Sequence, residues 1–330
     1  METKQVAVVT GANGFVGSHL VDLLIGKGFA VRCIVRASSN LRWLEGKDVE
    51  IFKCGLFDKN GLAEAIKNAE YIYHVAGVVK AKTKDGYFKG NVETTRNLLD
   101  IAFSNKNTIK RFLIVSSQTV TGPSLDGTPV NEETECEPLT TYGKSKYEEE
   151  KLALSFKEEL PITICRAPAV FGERDTEIFI YFQNFAKGIT TTIGFDKKVL
   201  SLIHVADLVE GFYQAATSDN AIGEIYFISS EKYYTWGEIN SITGKVLRKR
   251  VIKIPVPHFL VYTIAAVAQF FSMFSSKAAT LNLEKAKDLV QHSWTCDTSK
   301  AMRDFGYRQN VSLEEGIRRT CEWYNEMKWI

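Results

Sequence analysis

Short apolar, β-branched runs recur through the first half of the chain, separated by stretches whose apolar residues repeat at helical spacing. Val6 to Thr10 is such a run, followed by a glycine-rich turn and an apolar-periodic stretch from Phe15 to Ile25. That order reads as strand, turn, helix. Further strands are expected at Ala30 to Val35, Val49 to Phe52, Tyr71 to Val75, Arg111 to Val115 and Ile162 to Cys165, with helices around Val92 to Phe103 and from about Tyr142 to Lys157. Strands alternating with helices imply an α/β fold, a Rossmann-type doubly wound parallel sheet with right-handed crossovers and helices on both faces. Beyond Pro168 the alternation gives way to short strand-like pieces, Leu200 to Val205 and Glu224 to Ile228, mixed with helices. A smaller mixed region covering the carboxyl edge of the sheet would read this way. The expected division is a dinucleotide-binding core over residues 1–170, to which later segments contribute, and a mainly substrate-binding region over residues 171–330.

Composition narrows this little. The 330 residues are 45% hydrophobic and 24% charged with a formal net charge of +2, which excludes a disordered or fibrous chain and gives no support for nucleic acid as a partner. Six cysteines, at 33, 54, 136, 165, 296 and 321, show neither paired short spacings nor a pattern with histidine. Reduced thiols and no metal site are expected. Met1 to Gln5 runs straight into the first apolar strand, leaving no room for the regions of a signal peptide, so the expected location is cytoplasmic.

The chemistry begins at the first turn, Thr10-Gly11-Ala12-Asn13-Gly14-Phe15-Val16-Gly17. Glycines there let backbone N–H groups approach a pyrophosphate, and the helix N-terminus adds partial positive charge. Gly11, Asn13, Gly14, Phe15, Val16 and Gly17 are therefore candidate cofactor residues. Arg36 closes the second strand, Ser38 follows, and no acid stands between Ala30 and Asn40. An acid at this point favours the ribose hydroxyls of NAD, an arginine the 2′-phosphate of NADP. NADP(H) is the expected cofactor, with NAD(H) also admissible.

Tyr142 and Lys146 stand four apart at the start of a helical stretch, so the ammonium can lie beside the phenol and stabilise its ionised form. A tyrosine so placed can move a proton. The fifth strand ends in Val115-Ser116-Ser117, at the sheet edge where this fold puts chemistry. Either serine could be the third member of the set.

These motifs, with His74-Val75-Ala76-Gly77, Asn91-Val92 followed by Thr95 and Asn97, Arg166-Ala167-Pro168-Ala169-Val170-Phe171-Gly172, Ile203-His204-Val205-Ala206-Asp207 and Asp297-Thr298-Ser299-Lys300-Ala301, occur in an order that resembles the extended short-chain dehydrogenase/reductases along the whole chain. The nearest likeness is to the dihydroflavonol-reductase-like and 3β-hydroxysteroid-dehydrogenase-like branch. The resemblance implies that Tyr142 is the general acid in reduction and the base in oxidation. It further implies that Lys146 tunes Tyr142 and holds the nicotinamide ribose, that Ser117 bonds the substrate carbonyl, and that Ala76 and Gly77 line the cofactor. Pro168 and Val170 would present backbone to the nicotinamide carboxamide. His74 is expected to be a structural strand-end residue. Where the family often has Gly-Asp-Leu, this chain has Cys54-Gly55-Leu56, leaving backbone around Gly55 and Leu56 for the adenine.

The implied reaction is reduction of a ketone, or oxidation of the matching secondary alcohol, on a mainly apolar small molecule. The alternative is a nucleotide-sugar epimerase or dehydratase with a tightly held cofactor. Against it, Leu200-Ser201-Leu202 stands where nucleotide-sugar relatives usually carry an arginine for the diphosphate, although Arg174, Lys197 and Lys198 offer substitutes. The stretch after Gly172 instead holds Ile178-Phe179-Ile180-Tyr181-Phe182, expected to line an apolar cleft. A non-catalytic dinucleotide sensor is disfavoured by the intact serine, tyrosine and lysine. Relatives often pair through helices of the sheet layer, so a homodimer is expected.

Phe259 to Phe274 carries no charge but falls short of the roughly 20 apolar residues of a spanning helix. No integral membrane segment is expected. Burial over the cleft or at a dimer seam is the expected role of this stretch, with interfacial membrane contact as the alternative.

Overall fold

The computed structural model describes residues 4–274, 279 and 281–330; Lys277, at the charged end of the apolar stretch, lies outside the described residues. The first half follows the predicted alternation: β1 (Val6–Thr10), α1 (Phe15–Gly26), β2 (Ala30–Ile34), β3 (Val49–Phe52), α2 (Lys59–Ile66), β4 (Tyr71–His74), α3 (Lys84–Phe88), a π turn (Lys89–Glu93), α4 (Thr94–Ser104), β5 (Arg111–Ser117), α5 (Thr141–Leu154) and β6 (Ile162–Ala167). The second half adds β7 (Ala169–Phe171), α6 (Phe179–Ala186), β8 (Ile189–Ile193), β9 (Val199–His204), α7 (Val205–Thr217) and β10 (Ile225–Phe227). There follow β11 (Tyr233–Thr235), α8 (Trp236–Leu247), β12 (Ile252–Val256), α9 (His258–Ser272), α10 (Leu283–Leu289), β13 (Ser293–Trp294), α11 (Ser299–Phe305) and α12 (Leu313–Glu326).

The central sheet has seven strands in the order β10-β6-β5-β4-β1-β2-β3, every neighbouring pair parallel. The order reverses between β1 and β4, which opens a crevice at their carboxyl ends. Both faces are covered, as an all-parallel sheet requires. Leu20, Val21 and Leu24 of α1 pack with Leu208 and Phe212 of α7 on one face. Leu62 and Ile66 of α2, Leu98 and Leu99 of α4 and Leu152 of α5 pack on the other.

The second half builds a separate small core from Phe182, Ile239, Ile317 and Tyr324, with Phe179, Tyr181 and Trp329 packed against it. This corrects the expectation for Ile178 to Phe182. Phe179 and Tyr181 face that core and Phe182 is fully buried within it, whereas Ile180 is the one that stays exposed. Helical spacing on an apolar run marks a buried face, and here the partners are α8 and α12.

The apolar stretch at 259–274 forms α9, and burial over the cleft is also corrected. Among the described residues of α9 only Val261 and Ala265 are buried, packed with Ala286 and, more loosely, Ile193 and Val256. Its bulky residues point away from the body.

Candidate active site

Three elements converge on Tyr142 at the carboxyl edge of the sheet. Thr140 caps α5 by accepting from the Gly143 N–H at 3.2 Å, which fixes where the helix starts and holds Tyr142 in its first turn. One turn on, Lys146 is buried, and its ammonium donates to the Val115 carbonyl of β5 at 2.8 Å. Ser117, the last residue of β5, lies close enough to Tyr142 to favour its ionised form. Its Oγ accepts from the Thr119 amide at 3.2 Å and from the Thr119 hydroxyl at 2.9 Å. Ser116 points the other way, as alternation along a strand demands; it is buried and its hydroxyl has no hydrogen-bond partner among the described residues. The geometry thus places Ser117, not Ser116, beside the tyrosine.

Burial pushes the Tyr142 phenol above its usual range, reinforced by Glu149 and Asp288 and opposed by Lys146 and Ser117. At neutral pH it therefore carries its proton. Burial works against the charge on Lys146, but Glu149 and Tyr142 more than offset this, so the lysine remains an ammonium.

Glu149 did not stand out in the sequence. It lies three residues after Lys146, fully buried, and forms an ion pair with it. Its other oxygen accepts from Thr95 at 3.0 Å. Thr95 in turn lies 2.7 Å from His74 Nε2, and His74 Nδ1 lies 2.8 Å from Thr10 Oγ1. Burial, aided by Lys146, lowers His74 to about 3, so the ring is neutral and acts as a strut between β1 and α4. A glutamate on a helix is ordinarily read as a solvated residue; only the placement of α4 against α5 reveals this one. Asp288 of α10 was missed for the same reason, and burial raises its carboxyl to about 7.

The glycine turn has the shape of a phosphate cradle. Gly11 has φ +66°, and a Cβ there would lie 2.9 Å from the backbone of Ala76. A Cβ on Gly17 would lie 2.2 Å from the Gly11 carbonyl oxygen. Gly14 begins α1 without a side-chain cap, and the first turn holds no acid. Close backbone approach and an open helix N-terminus fit a dinucleotide pyrophosphate, with Phe15 and Val16 in that first turn. Asn13 reaches toward the loop after β2, donating to the Asn40 carbonyl at 3.4 Å. In that loop Arg36 and Ser38 are exposed, and the Arg36 amide donates to Ser39 Oγ rather than to Ser38.

Leu56 is half-buried and its carbonyl accepts from Asn97 at 3.1 Å. Ala76 donates its amide to Thr10 Oγ1, and Asn91 pins Val78 and reaches Ser145 Oγ at 2.8 Å. Gly77 is held between them. Pro168 and Val170 sit at the β6–β7 junction beside the same crevice, with Val170 paired to Ile203.

Two of the three substitute phosphate ligands, Arg174 and Lys198, are engaged elsewhere. Arg174 pairs with Asp22 at 2.8 Å and donates to Ser18 Oγ, both on α1. Lys198 is buried, donating to Asp196 and to the carbonyls of Val290 and Gln291. Lys197 is exposed.

Comparison with known proteins matches residues 7–229 to the NAD dependent epimerase/dehydratase family. A ceramide reductase of Caulobacter vibrioides is 27% identical over 332 residues, covering 100% of this chain and 97% of that one. A putative dihydroflavonol 4-reductase of Synechocystis is 26% identical, covering 98% of this chain and 95% of its own. The fold matches a UDP-glucose 4-epimerase of Thermotoga maritima, solved with UDP-glucose, at a TM-score of 0.82 and 20% identity over 98% of this chain and 100% of that one.

Proposed function

Because the chain belongs to the NAD dependent epimerase/dehydratase family, whose members act on CH–OH and C=O groups, we propose that it is an NADP(H)-dependent oxidoreductase interconverting a ketone and a secondary alcohol on a mainly apolar small molecule. The observation that carries this reading is the fate of the basic residues near the substrate side. Leu202 and Ser201 are buried at the position where a diphosphate would be gripped, and Arg174 and Lys198 are bound within the protein. A buried diphosphate without charge-assisted hydrogen bonds would lose its strongest contacts. The relative named as a ceramide reductase, of which this chain covers 97%, supports the same direction.

The bound dinucleotide would supply the hydride. Ser117 holds and polarises the substrate oxygen, Tyr142 gives it the proton, and Lys146 keeps its charge beside the phenol so that the resulting phenolate is stabilised. Lys146 and Tyr142 would also hold the nicotinamide ribose, and the Gly11 to Gly17 turn the pyrophosphate. Glu149 fixes the Lys146 ammonium through the ion pair.

Arg36 is expected to make NADPH bind about ten- to a hundredfold tighter than NADH, the worth of a charge-assisted contact of about 1.5–3 kcal/mol. Titration of both cofactors against the native protein and Arg36→Ala checks this; equal dissociation constants in the native protein refute it. The reaction itself is tested by turnover screens that set steroid, flavonoid, sphingoid and alkyl ketones with NADPH against UDP-, GDP- and dTDP-sugars. Ketone reduction with stoichiometric NADPH consumption is expected. Sugar-nucleotide conversion without net cofactor consumption would overturn the reading in favour of an epimerase or dehydratase.

A further inference from the structure

The helix α9 is built the wrong way round for a core element. Small residues at helical spacing, Ala265 and Ala268, together with Val261 and Ser272, face the body, while Phe259, Leu260, Ile264, Val267, Phe270 and Phe271 face outward, followed by exposed Met273 and Phe274. Phe259 is 72%, Phe271 66% and Phe274 78% exposed. The patch continues onto the parallel β8–β12 pair, where Ile252 and Ile254 are exposed, and onto Phe195 just beyond β8. An apolar surface of this extent marks an interface.

The charge around it identifies the partner. From Ile239 to Leu283 the sequence contains no aspartate or glutamate, while Lys245, Arg248, Arg250 and Lys253 are exposed beside the apolar residues. The acids at the border are already partnered, Asp196 by Lys198, His258 and His292 and Glu284 by Lys287. A bulky apolar face flanked by cations, with the acids at its edges paired to basic neighbours, fits the boundary between the acyl chains and headgroups of an anionic bilayer. The 15 residues of α9 give it a length of about 22 Å, short of the roughly 30 Å hydrocarbon core, so it lies in the surface and does not cross it.

We propose that α9 and the β8–β12 edge dock this protein onto an anionic lipid surface as a monotopic membrane-associated enzyme. The far end of α9 gives the docking a use. Gln269, Ser272 and Met273 line a cleft of about 220 Å³ together with Tyr87, Thr141, Lys84 and Glu284. The Tyr87 ring centroid is 6.4 Å from that of Tyr142. A substrate leaving the bilayer along α9 would reach a cleft lined by the neighbour of the candidate proton donor. This last step rests on the proposed reaction; the docking does not.

The test is vesicle flotation of the full chain, which needs no substrate. The native protein should float with vesicles of mixed phosphatidylcholine and phosphatidylglycerol, and less with phosphatidylcholine alone. Phe259→Ser/Phe271→Ser/Phe274→Ser should lower the partition coefficient by at least about tenfold, since several large apolar side chains lose their burial. Arg250→Glu/Lys253→Glu should abolish the preference for anionic vesicles. Unchanged circular dichroism and cofactor affinity establish that the variants are folded. Absence of flotation of the native protein, or flotation indifferent to both sets of substitutions, overturns the proposal. So does analytical ultracentrifugation showing a native dimer that the triple variant splits without any vesicle binding, because the face would then belong to a second copy. Since flotation does not involve turnover, a failed ketone screen leaves this result standing.

Discussion

Turnover of Tyr142→Phe is expected to fall by about 10²- to 10⁴-fold, the usual contribution of a positioned general acid, while thermal stability and cofactor affinity stay near native values. The substitution removes one oxygen and keeps the ring against Tyr87. Lys146 keeps its bond to the Val115 carbonyl and its pair with Glu149, so the site does not collapse. The hydroxyl is lost from a phenol that burial keeps protonated at neutral pH, which is the form a carbonyl reduction needs. Steady-state rates with NADPH and the best ketone from the screen give the answer, alongside cofactor titration and a melting curve. A loss well under tenfold, with cofactor bound normally, would remove Tyr142 from the reaction.

Arg166→Met is expected to cost about 3–5 kcal/mol of stability, the usual result of leaving one member of a buried ion pair unmatched. Arg166 and Glu150 are both about 2% exposed and bound by two parallel contacts, Nε to Oε1 at 3.0 Å and Nη2 to Oε2 at 2.7 Å. They tie the middle of α5 to the end of β6, the two elements that bring Tyr142 and Pro168 to one crevice. Removing the arginine strands the Glu150 carboxylate in the interior. Arg166→Met/Glu150→Leu should recover most of the loss, because two apolar residues replace both charges. Urea unfolding of the native, single and double variants checks the pattern. A single variant within about 1 kcal/mol of native, below the range for buried pairs, would show that the pair carries little.

The fold was legible where period and turn chemistry agreed. Val6–Thr10 is a nearly continuous apolar run because both sheet faces are covered, and Gly11 and Gly17 follow because no side chain fits there. The Tyr142 and Lys146 pair was legible because a helix puts residues four apart on one face. What stayed hidden depended on contacts far apart in sequence. Glu149 looks like any helical glutamate until α4 brings Thr95 to it. Ile252, Ile254 and Val256 alternate as a half-buried strand should, yet they stand on a two-stranded ribbon with β8, and Ile252 is 71% exposed. Ile178 to Phe182 was expected to line a cleft and instead packs into the core with α8 and α12, since an apolar run does not tell what lies against it.

The edge strand β10 carries a consequence for how the chain can be made. Residues 225–227 complete the main sheet by pairing with Ile164, Cys165 and Arg166, and the Phe227 amide is then closed off by the Glu132 carboxylate at 2.8 Å. Until those residues leave the ribosome, β6 is an open edge of six residues, all of them buried in the finished fold and able to template another strand. A fragment ending near residue 170 would retain that edge permanently, so expression of the first half alone should give aggregates, and useful truncations must keep the chain through β10.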